Sequence, residues 1–151
     1  PDLWKKWTPA SGVDLHTLMA AIQLPPELEV GQGYGTVSWG VRAIWENYAG
    51  WFKHESTTEL YAAPRSDIHE DLVELAGGPG AIVARAQQKV DGKKFVEALH
   101  LLDIVLPKHR KAPAAVAAAI EAHEGLLQDS ENFWLSSWLN NQISLLQAES
   151  A

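Results

Sequence analysis

The chain of 151 residues contains no cysteine, one methionine, three tyrosines and three phenylalanines. Without cysteine there is no disulfide, no thiolate metal site and no cysteine nucleophile. Positive charge is also scarce: 12 Lys and Arg stand against 19 Asp and Glu, a net charge of −7. Phosphate backbones are bound by basic stripes, so nucleic acid is excluded as a partner. The one basic cluster, Lys108-His109-Arg110-Lys111, follows Pro107 and reads as solvated charge near a helix C-terminus. No apolar run approaches the roughly 20 residues that span a bilayer, so no membrane span is expected. No signal-peptide pattern is seen, and a soluble domain is expected. Segments alternating apolar and polar residues are missing, as are Asn-Gly or Asp-Gly hairpins between β-branched runs. What is plentiful is tryptophan, with seven.

The periodicity predicts an all-α fold, a bundle of about six helices. Asp14 is placed to cap a helix with Leu15, Leu18, Met19 and Ile22 on one face, stopped by Pro25-Pro26. A glycine-punctuated loop runs from Val30 to Gly35, and Thr36 is placed to cap a second helix that ends near Gly50. An irregular or short extended stretch is expected from His54 to Arg65. Ser66 would cap a helix through Ala76, closed by Gly77-Gly78. Pro79 opens a helix to about Val90, and Asp91-Gly92 turns the chain into a helix from about Lys93 to Leu106. Pro113 opens another to about Leu127, and Asp129 or Ser130 would cap the last, which carries Phe133, Trp134 and Trp138. Ala86, Gly92, Phe95, Ala98 and Pro107 stand near the small, turn, aromatic and proline positions of a tetratricopeptide unit, so antiparallel hairpins are expected.

The second helix is the most distinctive segment. Val37, Val41, Ile44, Trp45, Tyr48, Trp51 and Phe52 recur at intervals of three and four, with Trp39 at the helix start. So wide an aromatic stripe needs a large covering surface. It serves as ordinary core, as core and subunit contact together, or as the wall of a ligand pocket.

Catalytic patterns are missing. The six histidines, His16, His54, His69, His100, His109 and His123, include no His-Glu-x-x-His pair and no His-x-His-x-Asp-His cluster. His54 with Glu55, Ser56, Thr57 and Thr58 lacks a distant third partner and reads as a cap network. His100 is expected to be half-buried and hydrogen-bonded. Gly31, Gly33 and Gly35 have neither the lysine of a P-loop nor a strand before them. No catalytic residue, metal ligand or cofactor is therefore assigned to this chain.

Tyr34-Gly35-Thr36-Val37-Ser38, Arg42-Ala43, Gly50-Trp51-Phe52, Glu59-Leu60-Tyr61, Ala98-Leu99-His100-Leu101 and Asn132-Phe133-Trp134 through Trp138-Leu139 stand in the order found in one family. Over about Leu24 to Leu146 the chain resembles the dimerisation domain of alkyl sulfatases, which are metallo-β-lactamase-fold hydrolases. The resemblance implies an all-α domain at 14–148 that pairs two subunits, with 1–13 a linker or tail carrying Trp4 and Trp7 and 149–151 a second tail. It implies a homodimer and an upstream catalytic domain whose zinc site activates water against alkyl sulfate esters. Because the zinc-binding motif is missing and the chain opens at Pro1, a piece of a longer hydrolase is expected. A stand-alone protein- or peptide-binding module is the alternative.

The resemblance also implies site residues. Trp45, Trp51 and Phe52 would form the dimer contact, and Tyr34, Trp39 and Trp51 the rim of a substrate pocket. The chain departs from the family at two of these positions. Trp39 stands where the family carries a histidine that helps hold the sulfate, and Trp51 where a tyrosine is common. Indole N–H only donates, so neither residue offers an acceptor or a charge.

Overall fold

The computed structural model describes residues 13–53, 55–110 and 112–150, with side chains through residue 148. The tail with Trp4 and Trp7, His54 of the His54–Thr58 set and Lys111 of the basic cluster lie outside the described residues. Among the described residues there are seven α-helices and no strand. They are α1 (Leu15–Ala21), α2 (Val37–Ala49), α3 (His69–Leu75), α4 (Pro79–Asp91), α5 (Phe95–His109), α6 (Pro113–Gln128) and α7 (Phe133–Ser150). Short 3₁₀ turns cover Pro26–Leu28, Thr57–Leu60 and Arg65–Ile68. The chain falls into two compact units, one ending at Ala63 and one starting at Pro64.

In the first unit α1 packs against α2. Asp14 caps α1, its carboxylate accepting from Thr17 N at 3.0 Å. The Thr17 hydroxyl donates to the same side chain, and these hydrogen bonds hold the Asp14 carboxyl below its ordinary range. Leu15 and Leu18 are the buried face of this short helix.

The second unit is built around α6. Its inner face is almost entirely small residues: Ala115, Ala118, Ala119 and Ala122 are fully buried, with Val116 and Gly125 beside them. Small side chains let helices approach closely, and α6 packs on α4, α5 and α7. The main core joins Val73 of α3, Ile82, Val83 and Ala86 of α4, and Leu102 and Val105 of α5 to this alanine face. A smaller cluster of Val90, Ala98 and Ala122 lies under Phe95. Lys89 pairs with Glu97 across the α4–α5 hairpin, and its ammonium holds the Glu97 carboxyl below the usual range.

Several boundaries differ from the sequence reading. Ser66 caps no helix; it lies inside the 3₁₀ turn that follows Pro64, and α3 begins three residues later. Helix α5 starts at Phe95 because Lys93 (φ 57°) and Lys94 are used to close α4, donating to the carbonyls of Val90 and Lys89. It then runs through Pro107 to His109, since a proline near the end removes only one intrahelical donor. Neither Asp129 nor Ser130 caps α7. Asp129 terminates α6, and the buried Asn132 caps α7, its Oδ1 accepting from Leu135 N at 3.0 Å. His100 is exposed, on the outer side of α5. The basic cluster is less free than expected: Lys108 and His109 form the last turn of α5 and face Glu70 of α3 at 4.0 and 3.8 Å.

Candidate interaction surface

Helix α2 begins at a double cap. Thr36 Oγ1 accepts from Trp39 N at 3.1 Å, and Gln32 Oε1 accepts from Val37 N at 2.9 Å. Glycine at 31 (φ 74°) lets the preceding loop bend back so that Gln32 reaches the helix end. The helix stops at Gly50 (φ 72°), whose N–H donates to Glu46 O. Beyond it the chain is held by one carboxylate. Glu59 accepts from the backbone N–H groups of Lys53, Glu55 and Ser56 at 2.6, 3.2 and 2.9 Å. Desolvation raises the Glu59 carboxyl, but these hydrogen bonds and the Lys53 charge outweigh it and bring it below its ordinary value. Ser56 and Glu59 close a capping box, so the Ser56–Thr58 hydroxyls form a cap and not a nucleophilic set.

Among the described residues the aromatic stripe is only partly buried. No residue of α2 is buried. Val37, Val41, Trp45 and Ala49 are half-buried, and the apolar arc then continues outward through Ile44 and Tyr48, exposed by 62% and 79%. Trp51 is 73% exposed just past Gly50, with the half-buried Phe52 ring tilted against it at a centroid distance of 5.8 Å. Among the described residues of the first unit, α2 thus carries more apolar surface than is covered, and the stripe is not wholly core there.

The expected site residues are separated accordingly. Of the dimer-contact set, Trp51 is open while Trp45 and Phe52 are partly used inside the chain. Of the pocket-rim set, Tyr34 is 76% exposed in the loop before α2, and Trp39 is 40% exposed in its first turn. Trp39 stands about 15 Å before the end of the helix at 1.5 Å per residue, and Trp51 lies beyond that end, past Gly50. None of the three lines the cavity of about 390 Å³ in this unit, whose walls include Met19, Ile22, Leu24, Val30 and Val37.

The second unit has its own open surface. Leu99, Leu106, Pro107, Trp138 and Leu146 wall a groove of about 630 Å³ on α5, α6 and α7, with Asp103 and Arg110 at its edges. On α7, Phe133, Trp134, Trp138 and Leu145 are all more than half exposed. Sequence reading placed these aromatics on a helix without foreseeing their exposure; the signal was the lack of charge around them. Among the described residues no three His, Asp or Glu side chains gather where they could hold a metal ion. No described helix is long and apolar enough to cross a membrane.

Residues 15–147 match the family model described as alkyl sulfatase dimerisation. The chain belongs to that family. An alkyl/aryl-sulfatase of Saccharomyces cerevisiae is 27% identical over 135 residues, which are 87% of this chain and 20% of that protein. Among solved structures, the stereoselective inverting sec-alkylsulfatase Pisa1 from Pseudomonas sp. superposes with a TM-score of 0.77 at 24% identity, over 91% of this chain and 22% of that one. A double mutant of the same enzyme gives 0.76 at 23% identity, over 93% and 22%. At these identities the superpositions show a shared helical fold. The alkyl sulfatase dimerisation chain spans about a fifth of the length of the relatives it matches. The motifs that carry the resemblance act structurally here: Thr36 caps α2, Glu59 ties the segment after it, and Asn132 caps α7.

Proposed function

We propose that this chain is the pairing and accessory domain of a zinc-dependent, metallo-β-lactamase-fold hydrolase of the alkyl sulfatase type. The observation that carries this is α2, a helix with an uncovered aromatic face in a chain of the dimerisation family. Its partners are a second copy and a catalytic domain upstream, on the pattern of relatives several times longer. Among the described residues no side chains gather to hold a zinc ion, so no step of the chemistry is assigned to them. Trp51 is the centre of the proposed contact, with Trp45 and Phe52 supporting it from behind. Tyr34 and Trp39 belong to the rim that faces the substrate. With tryptophan at 39, that rim offers a flat apolar face and one N–H, which favours substrates with apolar bulk near the ester over recognition of the anion by this residue.

Sedimentation equilibrium of the chain tests the pairing: a dimer at micromolar concentration is expected, and a monomer at all concentrations refutes it. For the rim, the longer hydrolase with Trp39→His should change its relative rates among alkyl sulfates of different branching. Equal ratios would remove Trp39 from the rim.

A further inference from the structure

The buried apolar residues are divided unevenly between the two units. Among the described residues of the first unit only Leu15 and Leu18 are buried, both on α1, and no residue of α2 is. The second unit holds the rest, with Ala86, Ala98, Leu102, Val105, Ala118 and Ala119 fully buried. Its main cluster ties α3, α4, α5 and α6 together, with Leu146 of α7 packed against it. Ordering a residue costs conformational entropy, which the burial of apolar surface has to offset. Helices of 7 and 13 residues, the lengths of α1 and α2, are marginal in water unless packing holds them. From Leu60 to Ile68 every residue is exposed, so the chain passes from one unit to the next without a buried side chain.

We infer that the first unit opens and recloses as a local folding unit of low stability while the second unit stays folded. Few buried apolar contacts are what marks such a unit. The α2 surface that carries Tyr48 and Trp51 then exists only in the closed form. A partner that covers this surface stabilises the first unit and leaves the second as it was. The apparent affinity of that partner is lowered by the fraction of chains that are open. Whether the partner is a second copy or another part of a longer protein does not enter.

Hydrogen exchange of the whole chain, read by mass spectrometry at a concentration where it is monomeric, tests this. Peptides from α2 should exchange at least a hundredfold faster, after correction for intrinsic rates, than peptides from α5 and α6. Leu18→Ala should speed exchange in α1 and α2 at least tenfold and leave α5 and α6 within twofold of the wild type. Exchange of α2 within tenfold of α6 in the wild-type chain would overturn separate opening. So would a tenfold acceleration of α6 by Leu18→Ala, which would mean that the two units open together.

Discussion

The ring of Phe95 lies on the backbone of Gly125: a Cβ built at 125 would stand 2.3 Å from Phe95 Cζ. The first residue of α5 thereby reaches α6 at the one position where α6 has no side chain. Gly125→Val should destabilise the chain by about 1–3 kcal/mol through overpacking. In the Phe95→Ala background the same change should be nearly neutral, a non-additivity visible in urea melts of the four variants.

Glu59 gives a pH dependence of known sign. Its folded carboxyl titrates below the ordinary 4.5, so its contribution is complete above that value and is lost as the pH falls through the lower, folded pKa. Amide exchange at Lys53, Glu55 and Ser56, after correction for intrinsic rates, should accelerate as the pH falls below 4.5. Glu59→Gln should show that acceleration at every pH, because the carboxylate accepts on both oxygens whereas an amide has one acceptor oxygen and loses the bonds made to the other.

Trp45 and Trp51 should separate stability from association. Trp45 is half-buried, so Trp45→Ala should lower stability by about 1.5–2.5 kcal/mol, half the loss for a buried tryptophan. Trp51 is open, and Trp51→Ala should change monomer stability by less than about 0.5 kcal/mol. The same variant should weaken pairing at least tenfold by sedimentation.

Asn132 holds the start of α7 from a buried position. Asn132→Ala removes the acceptor for Leu135 N and should lower stability by about 1–2 kcal/mol. Asn132→Asp keeps the acceptor and should recover most of the loss in thermal melts.

The fold was largely readable because the helix signals here are local. Asp14, Thr36, Pro79 and Pro113 mark the helix starts they were expected to mark, and Gly77-Gly78, with φ of 84° and 114°, ends α3 as expected. The signals that failed depend on competition between neighbours. Ser66 lost its cap role to the turn set by Pro64, and Ser130 lost to Asn132, because Ser130 Oγ is engaged with Ser136 Oγ at 2.9 Å. The interaction surface was readable only in part. Periodicity identified the apolar arc of α2, yet it could not divide that arc between α1 and the outside, since the shortness of α1 decides how much is covered.

The alanine face of α6 has a kinetic consequence. Alanine has no rotamers to order, so α6 brings almost no side-chain entropy loss to the central contacts of the second unit. The helices that pack there, α4 on α5, α5 on α6 and α6 on α7, are also successive along the chain. Such short loops close quickly, which puts the second unit among domains that fold in roughly microseconds to milliseconds. Newly made chains would then hold a finished scaffold well before dilute partners meet, leaving association rather than folding to set the pace of assembly.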